Sequence, residues 1–132
     1  MYLAKYSDNG TFLWSDQIGS KYYNSEGYDN SVGITVDTND EIYITGTTDG
    51  AFDGNTNSGG REVFVVKYDT TGQKNWIKQF GTSADDYSLN ITADSYGNSY
   101  IVGSTNADID GNKNSGGYDV FITKYDKYGL KK

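Results

Sequence analysis

The stretch DGNTNSGGREVFVVKYD, residues 53–69, returns as DGNKNSGGYDVFITKYD, residues 110–126, with twelve of seventeen positions identical. The recurrence extends well beyond this block. KYSDNGTFLWSDQIG (5–19) aligns with KYDTTGQKNWIKQFG (67–81) and with KYDKYGLKK (124–132), while ITVDTNDEIYITGTT (34–48) aligns with ITADSYGNSYIVGST (91–105). A chain that repeats on this scale folds as a row of like units, each of which buries its faces against its neighbours. Trp14 and Trp76 are 62 positions apart, and Gly46 and Gly103 are 57 apart. The difference lies in SKYYNSEGYDNSVG (20–33), which is longer than its counterpart TSADDYSLN (82–90). An insertion confined to one connection, with both flanks in register, marks that connection as a surface loop.

Each unit reads as four strands. In the best-defined unit these are VFVVKYD (63–69), KNWIKQFG (74–81), LNITAD (89–94) and SYIVGST (99–105). Val, Ile, Thr, Tyr and Phe fill the runs, and Asp, Asn and Gly bound them. VFVV and YIVG lack polar alternation, as expected of strands covered on both faces. Four-stranded sheets stacked face to face at a period near ~60 residues describe the blades of a β-propeller. The expected fold is therefore all-β: tandem four-stranded antiparallel blades, about two plus a partial one. The units are drawn at 1–61, 62–118 and 119–132.

The pattern is K-Y-D-x-x-G-x-x-x-W-x-x-Q-x-G, then I-x-x-D-x-x-G-N-x-Y-x-x-G-x-T, then D-G-N-x-N-S-G-G-x-D-x-F. It resembles the bacterial β-propeller repeat called SBBP, over essentially the whole chain. The resemblance implies an extracellular or surface-attached setting and a propeller architecture, and it implies no activity. Two units do not close a ring, since a propeller needs roughly four to eight blades. The first strand occurs three times, at Tyr2–Tyr6, Val63–Tyr68 and Val120–Tyr125. Uncovered blades would leave Val, Ile, Phe and Tyr in water, and patches of that kind associate. Expected partners are therefore further copies of the chain, as a homo-oligomer, or adjoining blades of a longer chain. The first and last of the three strands are the expected junctions, by strand addition or face stacking.

Composition narrows the alternatives. Only 35% of residues are hydrophobic, with 13 Tyr and 17 Gly and no Pro, Cys or His, which favours short strands and tight turns over helices. A net charge of −7 argues against nucleic acid as a partner and is compatible with cation binding. Without Cys there is no disulfide or thiolate metal site, and no apolar run is long enough for membrane insertion as a helix. MYLAKYSDNG carries no apolar segment of the signal-peptide kind.

The repeated loop has two readings. Asp53, Asn55 and Asn57, and again Asp110, Asn112 and Asn114, place acceptor oxygens at alternating positions. Calcium wants six to eight hard oxygens, so these residues are candidate ligands, with Asp49, Glu62, Asp108 and Asp119 as further carboxylates. The EF-hand template fails twice, with Ser58 or Ser115 where Gly belongs and Phe64 or Phe121 where Glu belongs. The other reading is a turn, in which Gly supplies positive φ and Asn bonds its own backbone.

Tyr22, Tyr23 and Tyr28, in the expanded loop with Asn24, Glu26, Asp29 and Asn30, form the candidate ligand or interaction surface. Trp14 and Trp76 suit either sugar stacking or core packing, and their fixed strand position favours packing. Asp85 and Asp86 are adjacent carboxylates, and paired carboxylates flanking a substrate can act as acid and base in glycoside hydrolysis. On a strand they would face opposite ways, and the first repeat is read as offering nothing equivalent in register. Without His or Cys, no conventional nucleophile–base pair exists. The repeated Lys-Tyr-Asp is best explained as a strand end entering a turn. The sequence thus reads as a non-enzymatic scaffold, with a calcium-dependent carbohydrate-binding module as the alternative.

Overall fold

The computed structural model describes residues 1–22 and 25–132, and the side chains of all but residues 22–26. Among the described residues there are strands and turns and no helix. In chain order the strands are β1 (Tyr2–Tyr6), β2 (Phe12–Gln17), β3 (Lys21–Tyr22), β4 (Ser25–Glu26), β5 (Asp29–Val36) and β6 (Ile42–Thr48). They continue as β7 (Glu62–Tyr68), β8 (Lys74–Phe80), β9 (Asp86–Ala93), β10 (Ser99–Thr105) and β11 (Asp119–Tyr125).

The hairpins are built by one recurring turn. Asp69, Asp94 and Asp126 each accept at Oδ1 from the amides two and four residues on, at 2.8–3.0 Å. The peptide oxygen of each Asp accepts from the amide of Gly72, Gly97 or Gly129, at 2.9–3.1 Å. Those glycines have φ of 78–88°, a region most side chains avoid. At the equivalent place between β5 and β6 stands Asp40, with φ 59°. The Lys-Tyr-Asp motif therefore ends a strand and starts this turn.

The sheets are out of phase with the repeat as drawn from sequence. The four-stranded antiparallel sheet is β5-β6-β7-β8, so the boundary at 61/62 falls inside it. A three-stranded sheet, β9-β10-β11, follows it, and β1-β2 forms a two-stranded sheet before it. The chain crosses from one sheet to the next between β8 and β9, two strands into the sequence unit. The tiny β3–β4 hairpin lies in the expanded loop.

The central sheet is the layer between the other two. On one face Phe64, Val66 and Tyr68 pack with Ile42 and Ile44 against Leu3 and Trp14. On the other face Tyr43, Val63 and Val65 meet Ile91, Ile101, Phe121 and Tyr125. Every residue of β6 and β7 is consequently buried, as the lack of alternation in VFVV predicted for β7. β10, whose YIVG run carried the same expectation, instead alternates between buried and half-buried residues. The sheet has a covered face toward β5–β8 and an open one. β9 starts earlier than LNITAD suggested, because Asp86–Ser88 also pair with β10 across a bulge at Gly103. A Cβ at Gly103 would lie 2.2 Å from the Tyr87 carbonyl oxygen and 2.3 Å from the Phe121 ring, so only Gly admits this approach.

Candidate functional site

The loop between β6 and β7 is held by its own polar groups. Asn57 Oδ1 accepts from the Gly59 amide at 2.8 Å, and its Nδ2 donates to the Gly50 and Gly60 carbonyls. Glu62, fully buried, accepts at Oε1 from the Ser58 amide at 2.7 Å. Gln79 on β8 then ties the loop to the sheet. Its Nε2 donates to Glu62 Oε2 at 2.7 Å and to the Gly50 carbonyl at 2.8 Å. Its Oε1 accepts from the Phe52 amide at 3.1 Å, and its own amide donates to Asn55 Oδ1 at 3.0 Å. No single residue of the loop announces this latch in the sequence. The Gln in W-x-x-Q-x-G is its only trace.

The loop between β10 and β11 repeats the turn without the latch. Asn114 Oδ1 accepts from the Gly116 amide at 2.7 Å, and Asp119, standing where Glu62 does, accepts from the Ser115 amide at 2.5 Å. Asp108 Oδ1 accepts from the Asn114 amide at 2.9 Å, and Asp110 pairs with Lys131 at 2.6 Å. The oxygens of Asn55, Asn57 and Asn114 are thus already taken by backbone amides, whereas Asp53 is exposed and Asn112 donates to the Ile109 carbonyl. Among the described residues no three His, Cys, Asp or Glu side chains are gathered in the manner of a metal cage.

Tyr28 is 64% exposed, and its backbone is pinned by its amide donating to Asp49 Oδ1. Tyr22 contributes backbone to β3, and Tyr23 lies outside the described residues. A groove of about 470 Å³ runs from Lys21 along Gly50 and Ala51 to Asn55–Gly60.

The tryptophans pack between sheets. Trp76 lies against Tyr125 and over Gly129, donating from Nε1 to the Lys127 carbonyl at 3.1 Å. Trp14 lies against Tyr68 and over Gly72 in the same way. Each Trp therefore reads the turn of the next sheet. Lys67, of the Lys-Tyr-Asp motif, is buried and pairs with the partly exposed Glu41 at 2.6 Å, over the ring of Tyr43. Burial, with the Asp37 and Glu41 carboxylates nearby, pushes the Tyr43 hydroxyl well above its ordinary range. At the β9–β10 turn the Asn98 side-chain amide, with the Asn98 and Tyr96 backbone amides, lowers the Asp94 carboxyl to about 2.

Asp85 and Asp86 diverge. Asp86 is buried and accepts from the Thr82 amide at 2.6 Å, while Asp85 accepts from the Arg61 amide and from the Tyr87 hydroxyl. Asp86 does have an equivalent in the first repeat, contrary to the sequence reading of the pair. Asp29 accepts from the Ser20 amide at 2.8 Å in the same manner, so this carboxylate caps a connection in both units.

Outside the loops, the distinctive surface is apolar. Val120 and Ile122 are 72% and 74% exposed on the open face of the β9–β11 sheet, beside Leu89. Tyr2 and Tyr6 are exposed on β1, and Ile34 of β5 is uncovered because the β1–β2 sheet is only two strands wide. Apart from Leu89, whose counterpart Val32 is exposed too, these residues match positions that are buried elsewhere in the chain: Val63 and Val65, Phe64 and Tyr68, and Ile91.

A virus protein described as an uncharacterized WD repeat-containing protein L264, from Acanthamoeba polyphaga mimivirus, is 28% identical over a 158-residue alignment. That alignment takes in 98% of this chain and 11% of the viral protein, so the chain spans about a tenth of that relative's length. The family model for the SBBP beta-propeller repeat matches at residues 13–53 and again at 75–110. These two matches take in the Trp-containing strand, the Asp turn and the glycine-bulge strand of each repeat, and the chain belongs to the SBBP beta-propeller repeat family.

Proposed function

We propose that this chain is a non-catalytic scaffold module of the extracellular or cell-surface kind, joining blades of its own repeat into a larger propeller. A second copy, supplying another blade, is the occupant of its open faces. The observation that carries this reading is the pairing of exposed and covered equivalents. Val63 and Val65 are fully buried under the β9–β11 sheet, while Val120 and Ile122 present the same surface to solvent. Burying two such side chains is worth about 3–6 kcal/mol on transfer scales, enough to drive association of matched faces. Native mass at micromolar concentration tests it, with a defined assembly larger than one chain as the expected result. A compact monomer overturns it.

The calcium-dependent carbohydrate-binding alternative would use the groove over Asn55–Gly60 and the exposed Tyr28. It has less support, since the loop closes on its own hydrogen bonds. A melt with and without millimolar calcium separates the two, because an ion bound only by the folded state raises the midpoint. The scaffold reading expects no shift.

A further inference from the structure

In the central sheet β8 lies against β7, and its Gln79 fills the pocket formed by the β6–β7 loop. In the next sheet β11 is an edge strand, and the corresponding loop stands open. The loop has nevertheless formed the same turn. Asn114 and Asp119 accept from the Gly116 and Ser115 amides as Asn57 and Glu62 accept from those of Gly59 and Ser58, and Asn112 donates its amide to Ile109 as Asn55 does to Phe52. The Ile109 amide donates back to the Asn112 carbonyl, where that of Phe52 goes to Gln79. A cavity of about 420 Å³, lined by Thr105, Ala107, Ile109, Asn112, Asn114 and Asp119, lies where Gln79 would sit. Among the described residues, Asn112 Oδ1 and the second carboxylate oxygen of Asp119 accept no hydrogen bond. Their equivalents are the two side-chain acceptors that Gln79 uses.

We infer that the edge of β11 and this cavity form a strand-acceptor site selective for a segment reading W-x-x-Q-x-G. The incoming strand pairs antiparallel with β11, in the register that places its Gln opposite Phe121, as Gln79 stands opposite Phe64. Its Gln side chain donates to Asp119 and its Gln amide to Asn112. Lys131 already pairs with Tyr125 as Lys74 does with Tyr68, so the acceptor begins at the Trp position. Edge pairing alone is indifferent to sequence, because main-chain bonds are common to all strands. The cavity adds the selectivity, since a strand without Gln covers the second Asp119 oxygen and leaves it unpaired. This deepens the scaffold reading, on which it rests in taking the occupant to be a segment of the same repeat.

The test is titration of the full chain with a capped peptide of residues 76–82, WIKQFGT, and with its Gln79→Ala form. Backbone amide shifts locate the binding, and fluorescence anisotropy of labelled peptide gives the affinity. Saturable binding that shifts β11 and residues 105–119 is expected, about tenfold weaker for the Ala peptide, the equivalent of one hydrogen bond to a charged group. The exposed Asn112→Ala variant of the chain should also bind several-fold more weakly, with its melting midpoint unchanged. Equal affinity for the two peptides overturns the inference, as does an absence of saturable binding up to about 1 mM. A monomeric chain that binds the peptide with this Gln dependence keeps the acceptor site and removes self-assembly. An assembled chain whose two peptides bind alike does the reverse.

Discussion

Val63 and Val65 on β7 are fully buried, whereas Val120 and Ile122, at the same positions on β11, are 72% and 74% exposed. Both strands lie beside the same kind of glycine-bulge strand and end in the same Lys-Tyr-Asp turn. The difference comes from the neighbours. β7 has β8 at its edge and a sheet on each face, whereas β11 has one sheet behind it and β10 alone along most of its length. Burial in a repeat array is thus a property of position in the stack, and equal sequences carry unequal energetic weight.

The sharpest way to break this comparison is to put a charge on each member. Val65→Asp should unfold the chain, since an unpaired buried carboxylate costs at least about 4 kcal/mol. Ile122→Asp should leave the monomer's melting midpoint nearly unchanged and abolish assembly, read by thermal melts and native mass. Equal destabilisation by the two would show that the β11 face is already covered.

A second pair contrasts the latch with its unlatched twin. Gln79 holds the Glu62 carboxylate, the Gly50 carbonyl and the Phe52 amide, whereas Gln17, at the same place on β2, is exposed. Gln79→Ala should cost about 2–3 kcal/mol in denaturant unfolding and Gln17→Ala less than about 0.5.

The smallest expected effect comes from the paired loop glycines. Gly60 and Gly117 share a left-handed φ of 59° and 66°. A Cβ at Gly60 would meet the Ala84 carbonyl oxygen at 2.6 Å, whereas one at Gly117 would meet nothing within 4 Å. Both Ala variants incur about 1 kcal/mol of backbone strain, and Gly60→Ala adds about 1 more for the contact. Chemical denaturation of the two variants side by side measures that increment.

Much of the fold was legible before any contact was known. Ser99–Thr105 is the strand that SYIVGST announced, and the Asp-x-x-Gly turns stand where their letters placed them. These features are local: one carboxylate bonding amides two and four residues on needs nothing from elsewhere in the chain. The candidate site was legible only in part. The loop residues could be named, but Gln79, which completes their pocket, is more than twenty residues from Asn57 and belongs to another hairpin. The correspondence of Asp29 with Asp86 was available from the repeat spacing. The adjacency of Asp85 and Asp86 concealed it, because Tyr28 stands where Asp85 does. The Lys67–Glu41 ion pair left no signal at all, since it depends on β7 lying beside β6.

By itself the sequence determined the strands, their turns and the repeat that links them, because each rests on backbone preferences and short-range hydrogen bonds. The tertiary structure alone decided which strands share a sheet. Local turn chemistry does not say whether a hairpin joins the strand before it or after it; the packing of Phe64 on one face of the central sheet, and of Val65 with Ile101 and Phe121 on the other, goes with the observed phase. That choice leaves the β11 edge and the faces carrying Val120 and Tyr2 open, so the surfaces proposed to join blades are products of stacking order.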